Sequence, residues 1–191
     1  MSKKLFLFMA VLFVYGQATW AWDGSGKESD PYLVKNADDW RTLVEGVAGG
    51  ESYSGQAFRL TADIDISSWM VGHTGNSFCG TFDGDGHTLT LDIGMRDNPD
   101  DTEVRAPFKF VSGATIRHLK TTGEIYTRGK FAAGIVGRVK PGKATHLFDC
   151  HSSVIINSYV IGDGSHGGLI AIRLPCRFTR WHCGWNSSPM P

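Results

Sequence analysis

Neither sign of charge is in excess in this chain of 191 residues: Lys and Arg supply 19, and Asp and Glu supply 19. The balance excludes the basic footprint of a nucleic-acid binder and the polybasic face of a protein held on an anionic membrane. Cysteine is scarce, with four residues at irregular spacing (Cys79, Cys150, Cys176, Cys183), so a disulfide framework does not carry the fold. Cys79 and Cys150 fall inside apolar or small-residue patterns and read as buried free thiols. Cys176, His182 and Cys183 match none of the usual paired spacings of a zinc site, so no metal is expected there. Catalytic motifs are missing as well. The seven histidines, among them His73, His87, His118 and His166, form no HxxxH or HExxH pair, and His87 reads as part of a turn. No Gly-x-Ser-x-Gly elbow is present, and Gly24-Ser25-Gly26 lies in a loop without the context of a phosphate cradle. Charged residues make up only 20% of the chain against 41% hydrophobic, which excludes a disordered, solvating segment and permits a sizeable core.

Long apolar runs are also lacking, with one exception. Leu5 to Tyr15 is unbroken but too short for a hydrocarbon core that needs about 20 helical residues. Lys3 and Lys4 precede it, and small residues up to Ala21 follow, so residues 1–21 are expected to be an export signal. The protein is therefore expected to be secreted or at the cell surface, with no membrane span once the signal is removed.

What the sequence has in abundance is glycine, 24 residues, which suits an all-β protein of many tight turns. Residues 22–57 read as a leader: a Gly/Ser/Asp-rich loop, a short strand at Pro31–Val34, and one helix. Asn36 caps that helix, Asp39 holds the capping-box position, and Trp40, Leu43, Val44 and Val47 form its apolar stripe. Gly49 and Gly50 end it, and it is expected to cover an open sheet end. From Phe58 the period becomes 2. Phe58, Leu60, Ala62, Ile64 and Ile66 alternate with polar residues and read as one strand, with Asp63 and Asp65 pointing outward together. Leu89, Leu91 and Ile93 alternate likewise after the turn-rich Asp83-Gly84-Asp85-Gly86.

An internal echo decides the expected architecture. Ile116 matches Leu147, Leu119 matches Cys150 and Ile125 matches Ile156 at an offset of 31, and Gly134–Gly137 matches Gly168–Ala171 at 34. Units of about 30 residues made of short strands bury a continuous core only by stacking, so residues 58–172 are expected to form a β-solenoid of about four turns; a β-sandwich is the competitor.

The stretch Gly134-Ile135-Val136-Gly137-Arg138-Val139, followed by Ala144-Thr145 and Asp149-Cys150, resembles the GLUG motif of secreted bacterial surface proteins. Phe78 to Leu89 is similar to a turn found near the start of that family and of many right-handed β-helix proteins, and Pro31 to Ile66 resembles the leader of exported proteins of Bacteroides-like bacteria. The resemblance covers about residues 22–172. It implies that the solenoid is a right-handed parallel β-helix in an adhesin-like surface protein, and it supplies no catalytic residues. Residues 173–191 depart from the pattern, which a shifted frame or an early stop in a longer array accounts for; the uncapped last turn is then expected to self-associate.

Carbohydrate-active β-helix enzymes need converging carboxylates. Asp92, Asp97, Asp100, Asp101 and Glu103 supply acids, but four of them lie in the loop 94–104 and read as solvated, with weak calcium binding as the alternative. Asp63 and Asp65 carry the same two readings. The expectation is a non-catalytic module without cofactor or metal, whose partner is a surface glycan or protein; Trp69, Tyr53 and Tyr126 are the candidates to stack on sugar rings.

Overall fold

The computed structural model describes residues 22–173. The expected export signal and the tail beyond Arg173, with Cys176, His182 and Cys183, lie outside the described residues. In chain order the elements are β1 (Tyr32–Val34), α1 (Ala37–Ala48), β2 (Ala57–Leu60), β3 (Ile64–Ser67), β4 (Thr81–Asp83), β5 (Thr88–Ile93), β6 (Val104–Arg105), β7 (Phe108–Val111) and β8 (Thr115–Arg117). There follow β9 (Lys120–Thr127), β10 (Phe131–Ala133), β11 (Val136–Val139), β12 (His146–Phe148), β13 (His151–Ser152), β14 (Ile155–Ser158), β15 (Ser165–Gly167) and β16 (Ile170–Arg173). The described residues are all-β apart from one helix, and their strands form several short parallel sheets.

Those sheets have the orders β1-β2-β4-β8-β12, β3-β5-β9-β13 with β14 also on β9, β6-β10-β15 and β7-β11-β16. Every pairing is parallel and joins strands far apart in sequence: Phe58 lies beside Phe82, Phe82 beside Ile116, and Ile116 beside Leu147. The sequence echo is this register. Ile125 pairs with Ile156, and Val136 with Ile170. Because parallel neighbours stand about 4.8 Å apart, equal register positions stack their side chains into columns, and the apolar columns meet in one core.

Helix α1 forms where the capping pattern places it. Asn36 Oδ1 accepts from Asp39 N at 3.0 Å, which satisfies one orphan donor at the helix start, and the Asp39 carboxylate accepts from Lys35 N at 2.8 Å, one residue before the cap, and so ties the incoming chain to the first turn. Trp40, Leu43 and Val47 are fully buried. The Trp40 ring meets Phe82 and Phe108 edge-on, at centroid distances of 5.7 and 5.5 Å, and so joins the helix to two different sheets.

Two expectations need correction. The run from Phe58 to Ile66 is not one strand but two, β2 and β3, in different sheets. The chain bends at Thr61–Asp63, and the alternation continues across the bend because Leu60 and Ile64 both still face the core. Cys79 and Cys150 are free thiols as expected, but half-buried rather than buried. Burial pushes the Cys150 thiol up to about 11.

Burial fades toward the last strands. Ile116 and Ile125 are fully buried, whereas their neighbours Leu147 and Ile156 are only partly covered, and Phe148, Ile155, Tyr159 and Ile161 are exposed. Ile116→Ala and Leu119→Ala are expected to destabilise the protein by about 2–5 kcal/mol, since both side chains are fully buried. Lys120→Ala, on the exposed side of the same register, is expected to stay within about 0.5 kcal/mol. Urea unfolding of the three variants checks the register, and equal losses at 119 and 120 would contradict it.

Candidate functional site

The acids singled out in the sequence do not converge. Asp63 accepts from Thr88 N at 2.8 Å and from His87 Nδ1 at 3.3 Å, which draws its carboxyl down from the ordinary range, chiefly through the Thr88 hydrogen bond. Asp65 instead accepts from Ser67 N at 2.7 Å within its own turn. Asp100 pairs with Arg105, whose side chain is only 5% exposed, and Glu103 lies 3.9 Å from Arg138. Burial alone lowers the Arg105 guanidinium to about 10. Asp100 is thus occupied in neutralising a buried cation. Among the described residues no three His, Cys, Asp or Glu side chains gather as metal ligands.

A polar chain that no local motif announces runs across β4, β8 and the corner after β12. Asp83, 11% exposed at its side chain, receives Arg117 Nε at 2.8 Å, His118 Nδ1 at 3.0 Å and Asp85 N at 3.0 Å. Arg117 continues to Glu28 at 2.7 Å, and His118 Nε2 lies 3.7 Å from Asp149. Burial alone would raise the Asp83 carboxyl, but the three hydrogen bonds and the Arg117 charge outweigh it and hold the group below its ordinary value. Asp85 and Gly86 both have positive φ, and His87 N closes the turn onto Gly84 O at 2.8 Å, so the expected Asp-Gly reversal is present. Every member of the chain is spent on another member, which makes it a staple between the N-terminal loop and the sheet.

The open chemistry lies elsewhere, in a groove of about 260 Å³ beside the C-terminal half of α1. Val44 and Ala48 form one wall, the loop from Ser68 to His73 a second, and Lys109 of β7 a third. Trp69 is 41% exposed, with the Arg41 guanidinium 4.4 Å over its ring, while Arg41 Nε also binds Glu45 at 2.8 Å. The buried Trp40 Nε1 donates to Trp69 O at 2.9 Å and pins the loop to the core. Gly72 adopts φ +91°, and a Cβ there would fall 2.6 Å from Phe110 O, so only glycine lets the loop lie flat along β7. That contact pairs Val71 with Phe108 and sets His73 and Lys109 on the same groove. His73 Nδ1 accepts from Gly75 N at 3.1 Å, and Nε2 lies 3.4 Å from Ala48 O and 3.2 Å from Asn76 Nδ2. Burial, and then repulsion from Arg105, lower the Lys109 ammonium, and among the described residues no carboxylate lies within ion-pair distance of it.

Of the three aromatic candidates, Trp69 is the exposed one, with Arg41 over one face of its ring. Tyr53 is a correction: it is 9% exposed, with its ring packed edge-on against Phe58 at 4.9 Å, and does not present a face to a ligand. Tyr126 is half-buried beside Glu124. Lys109 escaped sequence reasoning; the signal was a lysine at the outward position between Phe108 and Phe110 of a strand.

Because the folded Asp83 carboxyl titrates below the roughly 3.9 of an unfolded aspartate, its contribution to stability is complete above that pH and is lost as the pH falls through the folded value. Asp83→Asn is expected to cost about 1–3 kcal/mol at neutral pH and to flatten the acid limb of stability, as measured by urea unfolding between pH 7 and pH 2. No family model matches the chain, and neither the curated proteins nor the solved structures yield a match.

Proposed function

We propose that this chain is an exported, non-catalytic β-solenoid module that presents a binding surface to a glycan at the cell surface, in the manner implied by its resemblance to GLUG-motif proteins. Uniformly parallel pairing between segments 24 to 34 residues apart supports the solenoid reading, since each strand would then be one side of a coil stacked on the next. A parallel strand–crossover–strand connection favours the right hand, and α1 serves as the N-terminal cap of about four coils. The basic pair Lys3 and Lys4 with the run Leu5–Tyr15 supports export.

The observation that carries the binding reading is Trp69: a large aromatic ring left 41% exposed at the edge of a groove although its own backbone is tied to the core. Aromatic faces of this kind bind sugar rings by stacking on their C–H surfaces and are enriched among residues that dominate binding energy. The exported protein made from the full chain is expected to give signal on a glycan array and no release of reducing or unsaturated sugar ends. Trp69→Ala is expected to weaken retention by about tenfold or more. Turnover of an array-positive glycan would instead identify a carbohydrate-active enzyme.

The exposed Phe148, Ile155, Tyr159 and Ile161 support a second property, pairing of the last coil with another copy. Sedimentation of the exported protein is expected to show concentration-dependent self-association, reduced by Ile155→Lys; a monomer at all concentrations would count against it.

A further inference from the structure

We infer that the groove beside Trp69 takes an acidic sugar, a single ring carrying a carboxylate, with the indole stacked on the ring and Lys109 meeting the charge. The inference rests on the glycan-binding reading above and adds the chemical class of the ligand.

The argument is one of charge left over. Three cationic or potentially cationic side chains stand at this groove: Arg41, His73 and Lys109. Glu45 satisfies Arg41 at 2.8 Å, and His73 is engaged with Gly75 N and Ala48 O through its two ring nitrogens. Lys109 is different. It is half-buried on the outward face of β7, opposite the inward-facing Phe108 and Phe110, and Glu103, whose field reaches it, is turned toward Arg138 at 3.9 Å. A partly desolvated ammonium without a counter-charge is costly, and an incoming carboxylate offsets that cost by a charge-assisted hydrogen bond. A neutral sugar offers Lys109 only a hydroxyl acceptor without the opposite charge, while removing water from it all the same.

Size and shape narrow the ligand further. The groove, at about 260 Å³, falls just below the range of about 300–1,000 Å³ that houses drug-sized ligands, so it suits one ring at the end of a glycan rather than a stretch of chain. Its remaining walls, Val44, Ala48 and Met70, are apolar and face the same space as Trp69, so the ring and the charge of the ligand are recognised by different walls. An inorganic anion would leave those apolar walls and the indole uncovered.

The test is an array of matched oligosaccharides that differ only in the terminal unit, glucose in one member and glucuronate in the other, probed with the exported protein made from the full chain. The glucuronate member is expected to be retained about tenfold more strongly than its glucose partner, the size of one charge-assisted hydrogen bond. Lys109→Gln is expected to bring the pair to parity, Lys109→Arg to keep the preference, and Trp69→Ala to lose both members. Equal retention of the pair by the unaltered protein, or a preference that survives Lys109→Gln, overturns the acidic-sugar inference while leaving glycan binding intact. Failure to retain any saccharide overturns both.

Discussion

The backbone of every strand here finds its hydrogen-bond partners on a segment 24 to 34 residues away, and everything else in the protein follows from that constraint. A strand of three or four residues cannot stand alone in water, and among the described residues no strand folds back on its sequence neighbour as a hairpin would. The spacing between strands must therefore be kept, or the columns Phe58–Phe82–Ile116–Leu147 and Ile93–Ile125–Ile156 fall out of line. Glycines serve that constraint locally. Gly123 holds φ +106° directly beside Leu91, where a Cβ would strike the Leu91 carbonyl oxygen.

Local pattern and distant register were legible in the sequence to different degrees. Helix α1 could be read from Asn36, Asp39 and the stripe from Trp40 to Val47 because a helix satisfies its backbone within itself. The pairing of Ile116 with Leu147 could be read because the two segments are near copies. The bend at Thr61–Asp63 could not, since a period of 2 looks the same along a straight strand and around a corner that keeps both flanking residues inward. The Asp83–Arg117 pair was hidden for a related reason: the two residues are 34 apart and meet only because β4 and β8 are in register.

The groove shows the same division. Trp69 was legible only as one of three aromatic residues able to stack on a sugar, and its relation to Lys109 depends on a single parallel bridge between Val71 and Phe108 and on the backbone freedom of Gly72. Neither leaves a periodic trace. Conversely, the acidic loop drew attention by composition alone, and its most buried acid proves to be the counter-charge of Arg105. Composition counts charges, whereas only the fold says which are already matched.

The hydrogen bond from the Trp40 indole to the Trp69 carbonyl has a consequence for recognition. Trp40 is wedged between rings of two sheets, so the loop cannot swing outward without breaking a bond made by the centre of the core. The groove is therefore preorganised: its wall is ordered when the chain folds, and a ligand entering it bears little further entropic penalty for arranging the loop. Selectivity at such a surface comes from rejecting shapes that do not fit a rigid wall rather than from adapting to those that nearly do.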